Sequence, residues 1–328
     1  MNSTPEAVRV ATYAMATRFE CVLHGNDKRS LRAAAEEVME EIKRLEQELG
    51  FRQSGSEIRW LNERAARGPV TVSPMLFDLL ERAVNLSRDS DGAFDITVAP
   101  LMRCWGLADG AGRLPSMAEI EATRAVIGMD RILLNRDRRT VEFRHRGVQL
   151  DLGSIGKGYA IDVAAEWLRD SGVDCALLHG GTSTTYAIGN PPDAAAWTIA
   201  IVRPEAGPTL SQPGTHPDQD QILARVDLAD GESLSVSATW GRSFTHDGRN
   251  YGHVIDPRTG WPVEGAFLAA CVLPSATHTD ALSTALLTLG KPGHDRLCRS
   301  HPDLRSLVVL PGGDSSDYTV AENGIAAT

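Results

Sequence analysis

The chain has 328 residues, a net charge of −10, 42% hydrophobic residues and only 5% aromatics. That size supports one large or two small domains and a core that folds without staples. An acidic chain with no basic face argues against nucleic-acid binding, and any anionic ligand would need local help from a cation or from backbone amides.

The five cysteines (21, 104, 175, 271 and 298) lie singly with no C-x-x-C pair, which points to reduced structural thiols and a cytoplasmic location. The opening MNSTPEAVRVATYA shows neither a charged n-region nor an apolar h-region, and no apolar run reaches the length of a membrane span.

Residues 7–25 read as two short strands around Met15-Ala16-Thr17. Residues 29–49 form the clearest helix: Leu31, Ala35, Val38, Ile42, Leu45 and Leu49 recur at alternating four- and three-residue steps, and Gly50 stands where a C-cap belongs. A second helix is predicted over 74–89 and a third over 117–127. Apolar segments at 132–135, 139–143 and 147–152 read as strands, and a helix follows Gly158 with Tyr159, Val163, Trp167 and Leu168 on one face. Strands are expected at 175–179, 184–188, 222–228, 233–238 and 306–310, and helices at 277–289 and 293–300. Residues 204–219 read as a mobile loop, and the tail from Pro311 as loosely ordered. No repeat and no clean linker interrupts the pattern. The fold class is therefore α+β, with mixed or antiparallel sheets and packed helices interwoven in a single domain over 1–328, its core at about 10–310.

Four segments carry chemistry. DLGSIGKG (151–158) places a Gly-rich turn and a Lys before a helix, without matching either phosphate-loop pattern. It reads as an anion-binding helix N-terminus or as a tight strand–helix turn. Asp280 and Thr284 stand one helical turn apart at the start of an apolar helix. They read as two hard ligands for a divalent cation, or Asp280 simply complements the helix dipole. His253 lies beside the Asp256–Gly260 turn, either as a proton-transfer group or as a hydrogen-bonded loop residue. SDGAFDITVAPLMRCWG (90–106) sets Asp95 behind an apolar pair, which would flank a planar ligand or pack in the core.

Taken in order, these pieces resemble the ApbE family, the FAD:protein FMN transferases, from about residue 10 to 310. The matching segments are YAMATRFE (13–20), FRQSGSEIRWLN (51–62), DGAFDITVAPLMRCWG (91–106), DLGSIGKGYAID (151–162), LLHGGTSTTYAIG (177–189), GHVIDPRTGWPV (252–263) and DALSTALLTLG (280–290). The resemblance implies an ApbE-like, T-fold-related domain. It also implies a Mg2+-dependent enzyme that moves the FMN moiety of FAD onto a Thr or Ser hydroxyl of a target protein and releases AMP.

By the same resemblance, Asp280, Thr284 and Ser154 would hold the metal. Met15, Phe51, Ala93, Phe94, Asp95, Asp151, Lys157 and Ile255 would line the FAD site, and His253 would be the catalytic base. Two alternatives share this pocket: a FAD pyrophosphatase giving FMN and AMP, and a non-catalytic FAD-binding protein. The chain departs from the family pattern in Ser237-Ala238-Thr239-Trp240-Gly241-Arg242-Ser243, where Trp240 replaces a Ser and no Tyr follows, and in Thr182, where an acidic residue is usual. The spacer from Gly241 to His253 is also a few residues short.

Overall fold

The computed structural model describes residues 7–108, 110–204, 221–240, 243–312 and 318–328. The expected loop at 204–219 falls almost wholly outside them.

The chain opens with a hairpin of β1 (Val8–Ala14) and β2 (Thr17–Leu23). Its two turn residues, Met15 (φ 50°) and Ala16 (φ 59°), are both left-handed, a geometry that suits the twist of paired strands. Neither is glycine, so the turn costs about 1–2 kcal/mol per residue. It is tethered by the Met15 N–H, which donates to Glu46 Oε1 at 2.7 Å. That glutamate stands on α1 (Lys28–Leu49), whose buried stripe includes Ala35, Val38, Ile42, Leu45 and Leu49.

Then come α2 (Glu57–Arg64), β3 (Val70–Thr71), α3 (Pro74–Asp89), α4 (Ala99–Cys104) and α5 (Met117–Arg124). The strands β4 (Ile132–Asn135) and β5 (Thr140–Phe143) pair with β3 in a small sheet, and α6 (Gly156–Asp170) follows. The second half begins with β6 (Ala176–Gly180), β7 (Thr184–Ile188), β8 (Trp197–Val202), β9 (Ile222–Leu228) and β10 (Ser233–Ala238). Two short hairpins come next, β11 (Ser243–His246) with β12 (Arg249–Gly252) and β13 (Ile255–Asp256) with β14 (Trp261–Pro262). The chain closes with β15 (Leu268–Leu273), α7 (Ala276–Ser300), β16 (Arg305–Pro311) and β17 (Tyr318–Asn323).

The central sheet has eight strands in the order β1-β2-β6-β7-β10-β15-β16-β17, with every neighbouring pair antiparallel. Helices α1, α6 and α7 pack on one face, around a core that includes Phe19, Ile42, Phe94, Ile161 and Leu286. The β8–β9 hairpin is part of a second cluster with Ala187, Leu234, Ala270 and Val309. Trp105 centres a third with Leu101, Ile120, Tyr251 and Ile255. The α+β architecture read from the sequence is the one observed.

Several local readings change. Residues 147–152 are not a strand. Their backbone is satisfied instead by the Asn62 side chain, which donates to Leu150 O (3.0 Å) and accepts from Leu150 N (2.8 Å), and by Asp151 N donating to Ile96 O at 2.7 Å. The strand β15 escapes pattern reading because both its faces are covered and its run is almost wholly buried, so no alternation survives. The β11–β12 hairpin had a visible signal in Asp247-Gly248, both at positive φ. Part of the tail from Pro311 is ordered: β17 pairs with β16 from Leu307↔Glu322 to Pro311↔Tyr318. The two helices expected at 277–289 and 293–300 are halves of α7, broken at Gly290 (φ 60°, ψ −154°) just before Pro292.

Candidate active site

The site is built where α6 and α7 begin. The cap of α7 is Ser275, and the Asp162 carboxylate accepts from Ala276 N (2.7 Å), Thr277 N (2.9 Å), Ser275 Oγ (2.8 Å) and Thr277 Oγ1 (2.6 Å). A neighbouring helix therefore supplies the anion at the positive end of α7. Asp280 lies beyond that first turn and faces α6, where Oδ2 accepts from Gly158 N at 3.0 Å. The cap residue of α6, Ile155, offers no side-chain acceptor, so Asp280 does this from across the interface. Dipole complementation of its own helix is thus not what Asp280 provides.

Gly158 is what lets the helices meet. A Cβ there would lie 2.1 Å from Ala276 O and 2.7 Å from Asp280 Cβ. The register of α7 over the sheet is set by hydroxyls of β10. Ser233 and Ser235 Oγ lie 3.1 and 2.8 Å from Thr279 Oγ1, and Ser237 Oγ lies 2.8 Å from Ser283 Oγ and 3.2 Å from Thr284 Oγ1. Sequence reading missed this row, although the alternating small hydroxyls of Ser233-Leu-Ser-Val-Ser237 were its signal. It also left Asp162 without a role.

Asp280 is 3% exposed. Its Oδ1 has longer partners than Oδ2: Thr184 Oγ1 donates from 3.4 Å and Lys157 Nζ stands at 3.5 Å. Lys157 also donates to Gly153 O at 2.8 Å, closing the turn that holds Ser154. Asp151 braces the same turn by accepting from Gly153 N at 2.8 Å. Lys157 thus ties the turn that carries Asp151 and Ser154 to Asp280 on α7, and Thr284 follows one helical turn further along α7.

The remaining candidates divide. Asp95 is tied to that turn through the backbone, since its neighbour Ile96 accepts from Asp151 N. Asp95 is 7% exposed. Burial pushes its pKa up to about 6, against the lowering effect of Thr97 Oγ1 and N, each donating at 2.6 Å. Ala93 and Phe94 are buried, Phe94 at 1% exposure, so they support the loop from within the core. Met15 and Phe51 are half-buried against that same core and keep part of their surface outward.

Ile255 packs instead in the Trp105 cluster. His253 is half-buried at the bend between β12 and β13. Its loop is fixed by Val263 N donating to Val254 O (2.9 Å), by Trp105 Nε1 donating to Gly260 O (2.8 Å), and by Arg258 bonding Asp256 through Nε (2.9 Å) and Nη2 (2.8 Å). That bond raises the Arg258 pKa. Next to this loop a cavity of about 250 Å³ is lined by Asp256, Trp261, Glu264 and Thr288. Thr288 stands one turn beyond Thr284 on α7. Trp240 and Phe267 both pack against the second cluster.

The donors suit a hard dication. Asp280 and Thr284 offer oxygen, and Oδ1 is the carboxylate atom with spare capacity. Among the described residues no three His, Cys, Asp or Glu side chains cluster as metal ligands. An ion here would depend on one carboxylate, hydroxyl or carbonyl oxygens and the ligand's own phosphates, which is how magnesium is usually held.

The fold is thus an antiparallel sheet under packed helices, with a glycine turn and a lysine of α6 set against a buried carboxylate of α7. The ApbE family model matches residues 15–308, and the chain belongs to the ApbE family. Among similar proteins, the FAD:protein FMN transferase of Klebsiella pneumoniae (strain 342) is 29% identical over 283 residues, covering 86% of this chain and 84% of that one. The Escherichia coli (strain K12) FAD:protein FMN transferase is 26% identical over 306 residues, covering 92% and 83%. Among solved structures, the ApbE protein of Thermotoga maritima superposes with a TM-score of 0.83 at 27% identity, covering 97% of each chain. The apo flavinyl transferase ApbE of Pseudomonas stutzeri does so with 0.81 at 27% identity, covering 98% and 96%.

Proposed function

We propose that the chain is a Mg2+-dependent FAD:protein FMN transferase that attaches FMN to a Thr or Ser hydroxyl of an acceptor protein. The observation that carries this reading is the junction at Asp280, where a buried carboxylate, a lysine and a helix N-terminus converge within a chain of the ApbE family. The acceptor oxygen attacks the phosphorus of the FMN half of FAD. The diphosphate P–O bond breaks, and AMP departs with the bonding electron pair.

Each residue has a task in that step. Asp280, Thr284 and Ser154 would hold Mg2+, which when bound offsets charge on the diphosphate oxygens. Lys157, at the start of α6, brings a positive charge to the phosphates; the Gly156 and Gly158 N–H groups of that turn are already bonded, to Leu152 O and to Asp280. Met15 and Phe51 offer apolar surface to the isoalloxazine, over a floor set by Ala93 and Phe94. Asp95, Asp151 and Ile255 shape the surrounding loops. His253 takes the proton from the attacking hydroxyl. The whole chain acts as one unit, with its core at about 10–310.

A cytoplasmic location is part of the proposal. All five cysteines are free, which suits a reducing compartment. Among the described residues no helix is long and apolar enough to cross a membrane.

The test is incubation of purified protein with FAD, MgCl2 and candidate acceptor peptides, read by mass spectrometry. An FMN–peptide adduct with AMP release is the expected result. Free FMN with AMP would instead establish a pyrophosphatase, and FAD retained tightly but left intact would establish a binding protein.

A further inference from the structure

We propose that Lys157 is a built-in counter-cation for Asp280, and that its release to an anionic diphosphate is what opens this carboxylate to a dication. The inference rests on the reading of Asp280 as a metal ligand.

Three observations carry it. Lys157 is the second residue of α6, at the positive end of the helix, where an ammonium is disfavoured. A lysine there would ordinarily extend into water, yet this side chain is only 20% exposed. It turns inward to Gly153 O at 2.8 Å and to Asp280 Oδ1 at 3.5 Å. Finally, the two carboxylate oxygens are used differently. Oδ2 is committed to Gly158 N, whereas Oδ1 has Lys157 and the 3.4 Å contact from Thr184.

An incoming dication and the ammonium therefore compete for one oxygen. Without a phosphate the ammonium has no better partner and stays. A diphosphate at the α6 N-terminus offers it one within reach of its flexible stem. Metal and dinucleotide then bind with positive coupling, and the coupling is reciprocal. The free enzyme would keep its carboxylate paired rather than hold an idle metal ion.

The experiment is a Mn2+ titration of the full-length, FAD-free protein by calorimetry, for wild type, K157Q, K157M, K157R and D280N. Removing the competing charge should tighten Mn2+ binding in K157Q and K157M by about tenfold, the factor that about 1.4 kcal/mol represents. K157R keeps the charge and should bind within about twofold of wild type, well inside that difference. Adding ADP should tighten wild type more than K157Q. If K157Q and K157M bind Mn2+ no better than wild type while D280N binds worse, the counter-cation role is overturned and Asp280 stands as ligand. If D280N binds like wild type, the metal reading of Asp280 falls, and this proposal falls with it.

Discussion

Asp162 and Asp280 exchange caps. The Asp162 carboxylate, on α6, accepts the first N–H groups of α7, and the Asp280 carboxylate, on α7, accepts Gly158 N in the first turn of α6. Two helix N-termini are thereby locked side by side, each hydrogen-bonded by a carboxylate from the other helix. Only one of the two carboxylates retains an oxygen with weak partners, and that one is Asp280.

The exchange predicts a division of labour between the two acids. Asp162→Ala should cost stability, about 1–2 kcal/mol for a lost cap, seen as a lower urea midpoint, while transfer at saturating FAD persists. Asp280→Asn, which keeps an acceptor for Gly158 N, should lower transfer by about 100-fold or more, the loss of several kcal/mol of charge stabilisation, with a smaller stability change. AMP release and urea unfolding on both variants separate the effects. Equal loss of activity in both would contradict the division.

Gly158→Ala tests the closeness of the helices. The added methyl has no room against Ala276 O. Overpacking of this kind costs about 1–3 kcal/mol, and the shift also displaces Asp280. A melting temperature at the wild-type value would show that the helices can part freely.

The Asp95 carboxyl makes a pH prediction. Its pKa is raised from 3.8 to about 6 by burial. Between those values the folded chain holds a proton that the unfolded chain has lost, so this group's contribution to stability falls as pH rises through that window. Asp95→Asn should abolish the fall, gaining up to about 3 kcal/mol on wild type between pH 4 and pH 7. Urea unfolding of both proteins at the two pH values measures it, and an identical pH dependence would refute it.

His253→Ala should slow transfer by about 10²–10⁴-fold, the usual worth of a positioned base. It should also flatten the limb of the rate–pH profile where the base titrates. A slower enzyme with an unchanged profile would make His253 a loop residue only.

What the sequence determined by itself was local. The stripe from Ala35 to Leu49 names a helix because its period is written within a few turns, and it is α1 as expected. The turn glycines of DLGSIGKG and the Asp280/Thr284 pair also stand out without a structure, since each depends on neighbours in the chain. What depended on long-range contact stayed hidden. The run 147–152 looks like a strand until Asn62 is seen to satisfy it. The run at 268–273 shows no strand period because helix and hairpin cover it from both sides.

The same holds at the candidate site. Candidate residues for the chemistry could be proposed from the motifs, but Asp280 meets Gly158 across 122 positions of chain, and Asp162 reaches Ala276 across 114. No pattern of spacing encodes such a meeting. It follows from the packing of α6 against α7 over a serine-lined strand, and tertiary structure alone decided that one aspartate would brace a helix and the other keep an oxygen to offer.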